Sequence, residues 1–309
     1  MRVLREGTAH HELLIAGNLA SSILRSSPSD EQFKIADIAF GQPDPAAMLN
    51  DSPSLRWAHL TTAGYTRYDK PEFRAALQAR GIPLTTSSHV FNEPCAQHLA
   101  AMLLSLARQL PQSLHGQWND RPWPYHERRL LSRLLGGEMV LLYGYGAIAE
   151  RLSELLAPYH MRLVGVRRKP RGDELIEMIP EAEADRLLPE ADHVVDILPE
   201  NAGTVRYFGA ERFRRMKGGA RFYNIGRGPT VDQLSLIAAL TDGHLDAAYL
   251  DVTDPEPLPP EHPLWSAPNC FICPHTGGGH SNEAVRLVRH FLANLARFES
   301  GEPLIDQVI

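Results

Sequence analysis

The sequence is poor in the features that direct a chain to export, to a membrane or to nucleic acid. It carries 3 cysteines, Cys95, Cys270 and Cys273, in 309 residues. That is too few for a disulfide framework and fits a reducing compartment. Cys270 and Cys273 have the spacing of a redox or metal pair, but no second pair completes a zinc site, and Phe271-Ile272 between them reads as strand. No metal is expected. No apolar run approaches the roughly 20 residues that cross a bilayer. The N-terminus lacks a positive segment followed by an apolar core, so a cytoplasmic location is expected. A net charge of -6 gives no general attraction for nucleic acid or anionic lipid. The length suffices for two domains with a large core.

What the chain does have is a glycine-rich turn. Met139-Val140-Leu141-Leu142-Tyr143 is an apolar run that ends in Gly144-Tyr145-Gly146-Ala147-Ile148-Ala149. Ile148, Leu152, Leu155 and Leu156 then recur at helical spacing until Pro158 stops the pattern. Strand, tight turn and helix in that order form a dinucleotide site if the helix N-terminus takes the pyrophosphate. Gly144 would supply an unusual backbone angle, and Gly146 room for the phosphates. Ala149 would hold the close-packing position of the third glycine. Tyr145, Ala147 and Ile148 line the same turn.

From Gly136 to Pro274 the pattern alternates. Strands are expected at 139–143, 161–166, 193–197, 220–225, 246–250 and 270–273, and helices at 147–157, 181–187, 209–216 and 231–240. Such alternation argues for a parallel sheet covered on both faces, with ligands beyond the C-terminal strand ends. Before it, Met1-Arg2-Val3-Leu4 could open a strand, His10-His11 read as exposed without a role, and Ser26 to Asp30 reads as a turn. Asp37–Gly41, Leu55–Leu60 and Pro83–Thr86 are further strands. Glu93 to Leu110 is a long helix with Asn92 as cap and Pro94 in its first turn. A loop rich in aromatic and charged residues follows at 118–125, and a last helix runs from Ser281 to Phe298. The expected fold class is α/β, with two Rossmann-like domains, doubly wound parallel sheets and an active site in the interdomain cleft. The expected division is a substrate-binding domain at 1–98, a dinucleotide-binding domain at 99–280 and a C-terminal return to the first domain at 281–309.

The cofactor's identity is read from the exit of the second strand of that domain. An NAD site expects a carboxylate about 20 residues after the glycines to hold the ribose hydroxyls. Arg167-Arg168-Lys169 stands there instead. Guanidinium groups pair with a 2'-phosphate that a carboxylate would repel, so NADP(H) is favoured, with NAD(H) left open. At the third strand exit, Leu198-Pro199 stiffens the ligand end of the sheet, and Thr204 could cap the next segment or reach a phosphate.

Three polar residues follow successive strand ends: Arg227 in Asn224-Ile225-Gly226-Arg227-Gly228, Glu256 in Asp254-Pro255-Glu256-Pro257, and His275 in Pro274-His275-Thr276-Gly277-Gly278. Reduction of a 2-oxo acid needs a fixed cation for the carboxylate and ketone, and a proton donor for the developing alkoxide. Arg227 suits the first role through its planar fork. His275 suits the second because imidazole titrates near neutrality, with Glu256 as the carboxylate that orients the ring.

Taken together, the ordered set Gly144-x-Gly146-x-x-Ala149, Leu198-Pro199, Asn224-Ile225-Gly226-Arg227-Gly228, Asp251-Val252 with Glu256-Pro257-Leu258-Pro259, and Pro274-His275-Thr276-Gly277-Gly278 resembles the D-isomer-specific 2-hydroxyacid dehydrogenase family. The resemblance runs from about residue 37 to the end. It implies that Arg227 binds the substrate carboxylate, that His275 exchanges the proton and that Glu256 pairs with it. It also implies that Asp251 lies near the nicotinamide carboxamide and that Ile225, Gly226, Gly277 and Gly278 border the cofactor. The backbone amides of Ala63-Gly64 would hold the substrate carboxylate. The family forms homodimers through its nucleotide domains, which would give the 118–125 segment an interface role. A glyoxylate/hydroxypyruvate-type reductase is the favoured member. The alternatives are a cofactor-binding sensor of the corepressor kind, or a dehydrogenase of phosphite or formate.

Overall fold

A computed structural model describes residues 1–17 and 31–309. The turn expected at Ser26 to Asp30 lies outside the described residues. The chain divides into two compact units: residues Met1–Phe91 with Gly279–Ile309, and residues Asn92–Gly278.

The first unit is built on three parallel strands in the order β1 (Ile38–Gly41), β2 (Trp57–Leu60), β3 (Leu84–Thr85). All four residues of β2 are buried, as befits a central strand. Asp44 caps the helix Pro45–Asn50 by accepting from the N–H of Ala46 and Ala47. That helix and the helix Pro71–Ala79 bury Met48, Phe73 and Leu77 with Leu60, Tyr68 and Leu84. The last helix, Glu283–Ser300, stacks Phe291 on Trp57 with ring centroids 5.2 Å apart. Beyond it the chain returns along β3, where Val308 N–H donates to the Leu84 carbonyl at 2.8 Å.

Met1 to Leu4 does not open a strand. Arg2–Gly7 is a helix, because Leu4 is its only buried residue and packs into the cluster of Trp57, Phe291 and Leu295. One apolar contact per turn suits a helix better than a strand. His10 and His11 are exposed but not idle: both ring Nε2 atoms approach Glu299 Oε1, at 3.3 and 2.7 Å.

The second unit holds seven parallel strands: β4 (Met139–Tyr143), β5 (Arg162–Arg167), β6 (Glu177–Pro180), β7 (His193–Asp196), β8 (Ala220–Asn224), β9 (Leu245–Leu250) and β10 (Cys270–Ile272). Their order is β10-β9-β8-β7-β4-β5-β6. The sequence therefore runs outward in both directions from the β4–β7 pair. This is the switch point at which doubly wound sheets bind ligands, beyond the C-terminal strand ends. β4, β7 and β8 are buried at every position. The expected strands are present within a residue or so, but β6 was not anticipated. It is an edge strand with one buried residue, Ile179, so it carries no hydrophobic pattern.

The long helix departs from expectation at both ends. It starts at Ser88, not Glu93, because the Asp306 carboxylate accepts from His89 N–H at 2.9 Å and supplies an upstream cap. Pro94 consequently lies inside the helix rather than in its first turn. The helix stops at Ala107, and Gln109 takes a left-handed φ of 57° before a separate helix, Leu110–Trp118. At the end of that helix Trp118 is 76% exposed, and in the segment after it Trp123 is 91% exposed. Among the described residues no helix is long and apolar enough to cross a membrane.

Candidate active site

β4 ends in Gly144, whose φ of +93° favours glycine, and a Cβ there would lie 2.8 Å from the Ile197 carbonyl oxygen. Gly146 is extended and begins the helix Ala147–Leu156; a Cβ on it would meet nothing within 4 Å, so the space in front of the turn is open. The first hydrogen bond back into the helix is Glu150 N–H to Gly146 O at 2.9 Å. The N–H groups of Ala147, Ile148 and Ala149 have no partner among the described residues, and they open a ten-residue helix, an arrangement suited to an anion. Tyr145 differs from its neighbours. Its N–H donates to Val166 O, and its side chain is 3% exposed and packed over Gly165. It therefore shapes the turn from behind instead of facing the ligand.

At the end of β5, Arg167 is half-buried and Arg168 and Lys169 are exposed. Arg167 Nη1 donates to Glu174 Oε1 at 3.4 Å. The N–H of Arg171 and of Gly172 also donate to Glu174, at 2.7 and 2.8 Å, and hold its carboxyl below the usual carboxylate range. Glu174 was not singled out from sequence. It folds the loop back and tethers one of the two candidate phosphate-binding arginines.

After β7, Leu198 N–H donates to Asp196 Oδ1 at 2.9 Å. The Thr204 hydroxyl, an expected phosphate contact, is engaged inside its own loop. It donates to Pro199 O at 2.6 Å and accepts from Asn201 N–H at 2.9 Å.

β8 delivers Arg227. Asn224 Oδ1 accepts from Gly226 N–H at 2.9 Å, and Asn224 Nδ2 donates to Arg227 O at 3.1 Å, so one side chain fixes the turn from both sides. Gly226 passes so near Leu198 that a Cβ would lie 2.6 Å from its carbonyl oxygen. At Gly228 a Cβ would lie 1.9 Å from Thr253 O. Both contacts are backbone, which cannot swing aside. Gly228→Ala is expected to lower stability by about 1–3 kcal/mol, seen as a depressed thermal midpoint. An unchanged midpoint would show that the loops can separate without cost. Arg227 itself is half-buried. Its Nη1 donates to Gly226 O at 2.6 Å, and among the described residues no carboxylate reaches ion-pair distance of it. It is a positioned cation without an anion.

After β9, the Asp251 carboxylate is 2% exposed and accepts from Thr276 N–H at 2.9 Å and from Gly277 N–H at 2.9 Å. A Cβ on Gly277 would lie 2.7 Å from both Asp251 Oδ2 and Ile225 Cδ1. Asp251, Ile225 and Gly277 thus pack as one group, and half-buried Gly278 follows. His275 N–H donates to Asp251 O at 2.8 Å and the residue takes φ +53°, which turns its ring out of the strand direction. The ring meets Glu256: Nδ1 to Oε2 is 2.8 Å. Thr253 N–H holds the other oxygen, Oε1, at 3.1 Å.

Burial works to raise the Glu256 carboxyl, but the His275 hydrogen bond and charge, Thr253 N–H and the Arg227 charge outweigh it and hold the group below the usual range. A carboxyl depressed on folding adds stability above its unfolded value, and that stability is lost as pH falls through the folded value. Glu256→Gln should therefore cost stability at neutral pH, and the deficit should close in acid. Denaturant midpoints of both proteins at pH 7 and pH 3 check this. A deficit independent of pH would remove the ion pair from the account.

Cys95 was read from sequence only as evidence of a reducing compartment. It is buried, and burial with the Asp251 charge pushes its thiol up to about 12 against the opposing pull of Arg227. It is a neutral filler beside the site. His98 Nε2 is bonded to the Tyr249 hydroxyl on β9, tying the long helix to the sheet.

Two expected substrate contacts, Ala63 and Gly64, lie in the first unit, just past the end of β2. Gln42 Nε2 donates to Thr62 Oγ1 at 3.1 Å, and Thr62 donates to Gly64 O at 2.8 Å. The loop is braced, and the N–H groups of Ala63 and Gly64 have no partner among the described residues.

Residues 100–277 match the family described as D-isomer specific 2-hydroxyacid dehydrogenase, NAD binding domain. Glyoxylate/hydroxypyruvate reductase B of Citrobacter koseri is 35% identical over 240 residues, 75% of this chain and 71% of that protein. The solved D-isomer specific 2-hydroxyacid dehydrogenase of Xanthobacter autotrophicus Py2, in complex with NADPH and MES, has a TM-score of 0.80 at 27% identity, covering 100% of this chain and 93% of that one. The NADPH-dependent glyoxylate/hydroxypyruvate reductase of Sinorhizobium meliloti, solved with NADP and sulfate, has a TM-score of 0.73 at 26% identity, covering 88% and 84%. With the matched family spanning more than half of the residues and these relatives most of them, the chain belongs to the D-isomer-specific 2-hydroxyacid dehydrogenases.

Proposed function

We propose that the chain is a cytoplasmic, homodimeric reductase that transfers hydride from NADPH to a small 2-oxo acid of the glyoxylate or hydroxypyruvate type. The observation that carries this is a half-buried guanidinium with no carboxylate partner among the described residues, at the same C-terminal end of the strands as a histidine whose far nitrogen is held by a carboxylate. The residues fit a dinucleotide: the unpaired N–H groups of Ala147 and Ile148 suit the pyrophosphate, and Gly226 and Gly277 let the loops after the strands pack closely against Leu198, Ile225 and Asp251. The cofactor supplies the hydride. Arg227 grips the substrate carboxylate and draws charge from the ketone oxygen. In the first unit, the unpaired N–H groups of Ala63 and Gly64 are donors of the kind a carboxylate accepts from. His275 donates the Nε2 proton to the oxygen as it becomes an alkoxide, and Glu256 on Nδ1 fixes the tautomer and balances the cation.

A spectrophotometric panel of glyoxylate, hydroxypyruvate, pyruvate and bulkier 2-oxo acids with NADPH and NADH tests the reading. Turnover of a small acid with NADPH is expected. Cofactor binding without turnover of any acid, or turnover only of phosphite or formate, would overturn it.

The preference for NADPH rests on Arg167 and Arg168, one tethered by Glu174 and one exposed. Two charge-assisted phosphate contacts at about 1.5–3 kcal/mol each would give a selectivity of roughly a hundredfold or more. Arg167→Ser with Arg168→Ser should abolish most of that selectivity by weakening NADPH and sparing NADH. An unaltered ratio of the two dissociation constants would refute the assignment.

The dimer reading is supported by the apolar surface around 110–134. Leu114, Trp118, Trp123, Leu130 and Leu134 are all at least 47% exposed, more than isolated surface residues explain. Trp123→Glu with Leu130→Glu is expected to yield a monomer by light scattering. A dimer of unchanged mass would place the interface elsewhere.

A further inference from the structure

Behind Arg227 lies a carboxyl group that pairs with no cation. Asp196 ends β7, is 0% exposed, and makes no ion pair among the described residues. Oδ1 accepts from Leu198 N–H at 2.9 Å. Oδ2 lies 2.6 Å from Thr230 Oγ1, and the same hydroxyl lies 2.6 Å from Arg227 O. A hydroxyl has one hydrogen. The Arg227 carbonyl can only accept, so Thr230 must donate to it or leave two oxygens facing each other without a proton. If Thr230 donates to Arg227, it has none left for Asp196, and Asp196 must donate to Thr230.

We infer that Asp196 works as a neutral acid: it donates to Thr230, Thr230 donates to the Arg227 carbonyl, and this relay holds the turn that aims the substrate-gripping guanidinium. Loss of the Asp196 proton turns the Thr230 hydroxyl round toward the new carboxylate and removes the shortest of the three bonds to the Arg227 carbonyl, leaving those from Asn224 Nδ2 at 3.1 Å and Thr230 N–H at 3.2 Å. Asp196 is a positioning residue and touches no reacting atom. The relay rests on the proposed role of Arg227 only for its effect on catalysis, not for its hydrogen bonding.

The surroundings agree. Burial raises this carboxyl to about 7, against the opposing pull of Thr230 and Leu198 N–H. Tyr143 on β4 and Asn224 on β8 lie in register with it. Burial raises the Tyr143 phenol, which stays neutral, and Asn224 has no charge. Thr230 and Leu198 complete its polar contacts, and among the described residues no charged side chain acts on it electrostatically. The sign is then fixed. Between the ordinary aspartate value and about 7, the folded chain keeps a proton that the unfolded chain releases, so stability falls as pH rises through that window.

Asp196→Asn distinguishes the two states of the group. An asparagine can donate from Nδ2 to Thr230 and accept at Oδ1 from Leu198, as the neutral acid does and a carboxylate cannot. Three measurements on the intact protein test the inference. Infrared difference spectra between wild type and Asp196→Asn at pH 6 should show one buried protonated carboxyl. The melting temperature of Asp196→Asn relative to wild type should rise between pH 4 and pH 7. In the wild type, KM for the 2-oxo acid should climb severalfold from pH 6 to pH 8.5 with NADPH affinity steady. In Asp196→Asn that climb should be absent. Thr230→Val, which keeps shape but breaks the relay, should show the raised KM at every pH, and Thr230→Ser should restore it.

A missing carboxyl band, or an Asp196→Asn protein as impaired as Thr230→Val at pH 6, would overturn the inference. If Asp196→Asn fails to fold, the wild-type spectrum at pH 6 and pH 9 decides alone through the loss of the band. If the band and the melting curves behave as expected but KM does not move, the relay stands and the role of Arg227 in gripping the acid fails.

Discussion

His275→Ala should reduce kcat for the 2-oxo acid by about 100- to 10,000-fold, the range over which a positioned acid or base contributes. NADPH binding should hardly change, because His275 reaches the chain through its own backbone bond to Asp251 and through Glu256, while the helix N-terminus lies on a different strand exit. Single-turnover rates and fluorescence titration of NADPH separate the two quantities. Added imidazole should recover part of the rate, since a freely diffusing donor can enter the vacated space. Equal loss of rate and cofactor affinity would mean that the loop has collapsed rather than that a proton donor is missing.

Arg227→Ala should lower kcat/KM by about 1,000-fold or more, beyond the loss of a single neutral donor to a developing oxyanion, because charge and substrate grip go together. Arg227→Lys should recover little, since an ammonium keeps the charge but not the two-pronged geometry. Stability should be nearly unaffected. The guanidinium donates to the carbonyl of its own neighbour, and among the described residues no carboxylate lies at ion-pair distance from it. A full recovery with lysine would leave only a charge requirement. A large drop in melting temperature would make Arg227 a structural residue.

Much of this architecture is written in local patterns. β4, β7, β8 and β9 are apolar runs closed by glycine, proline or a polar residue, and each appears within a residue or so of its expected place. Arg227, Glu256 and His275 could be picked out because each follows a strand end and lies among glycine or proline. What escaped sequence reading depends on partners distant along the chain. The start of the long helix is set by Asp306, more than two hundred positions away. The tether on Arg167 comes from Glu174, in a loop without periodicity. The inward turn of Tyr145 follows from the gap that Gly165 leaves on the neighbouring strand. The Asp196 relay left one trace in the sequence, a charged residue closing the apolar stretch His193-Val194-Val195, whose meaning appears only when Thr230 is set against it.

The near-contact between Gly228 and the Thr253 carbonyl has a mechanical outcome. Thr253 also holds Glu256, which holds His275, so the arm bearing the cation and the arm bearing the acid are geared to one another. Neither can be retuned by moving its own loop alone. A chimera that imports one of these arms from a relative should misalign the other, and only the pair exchanged together should run.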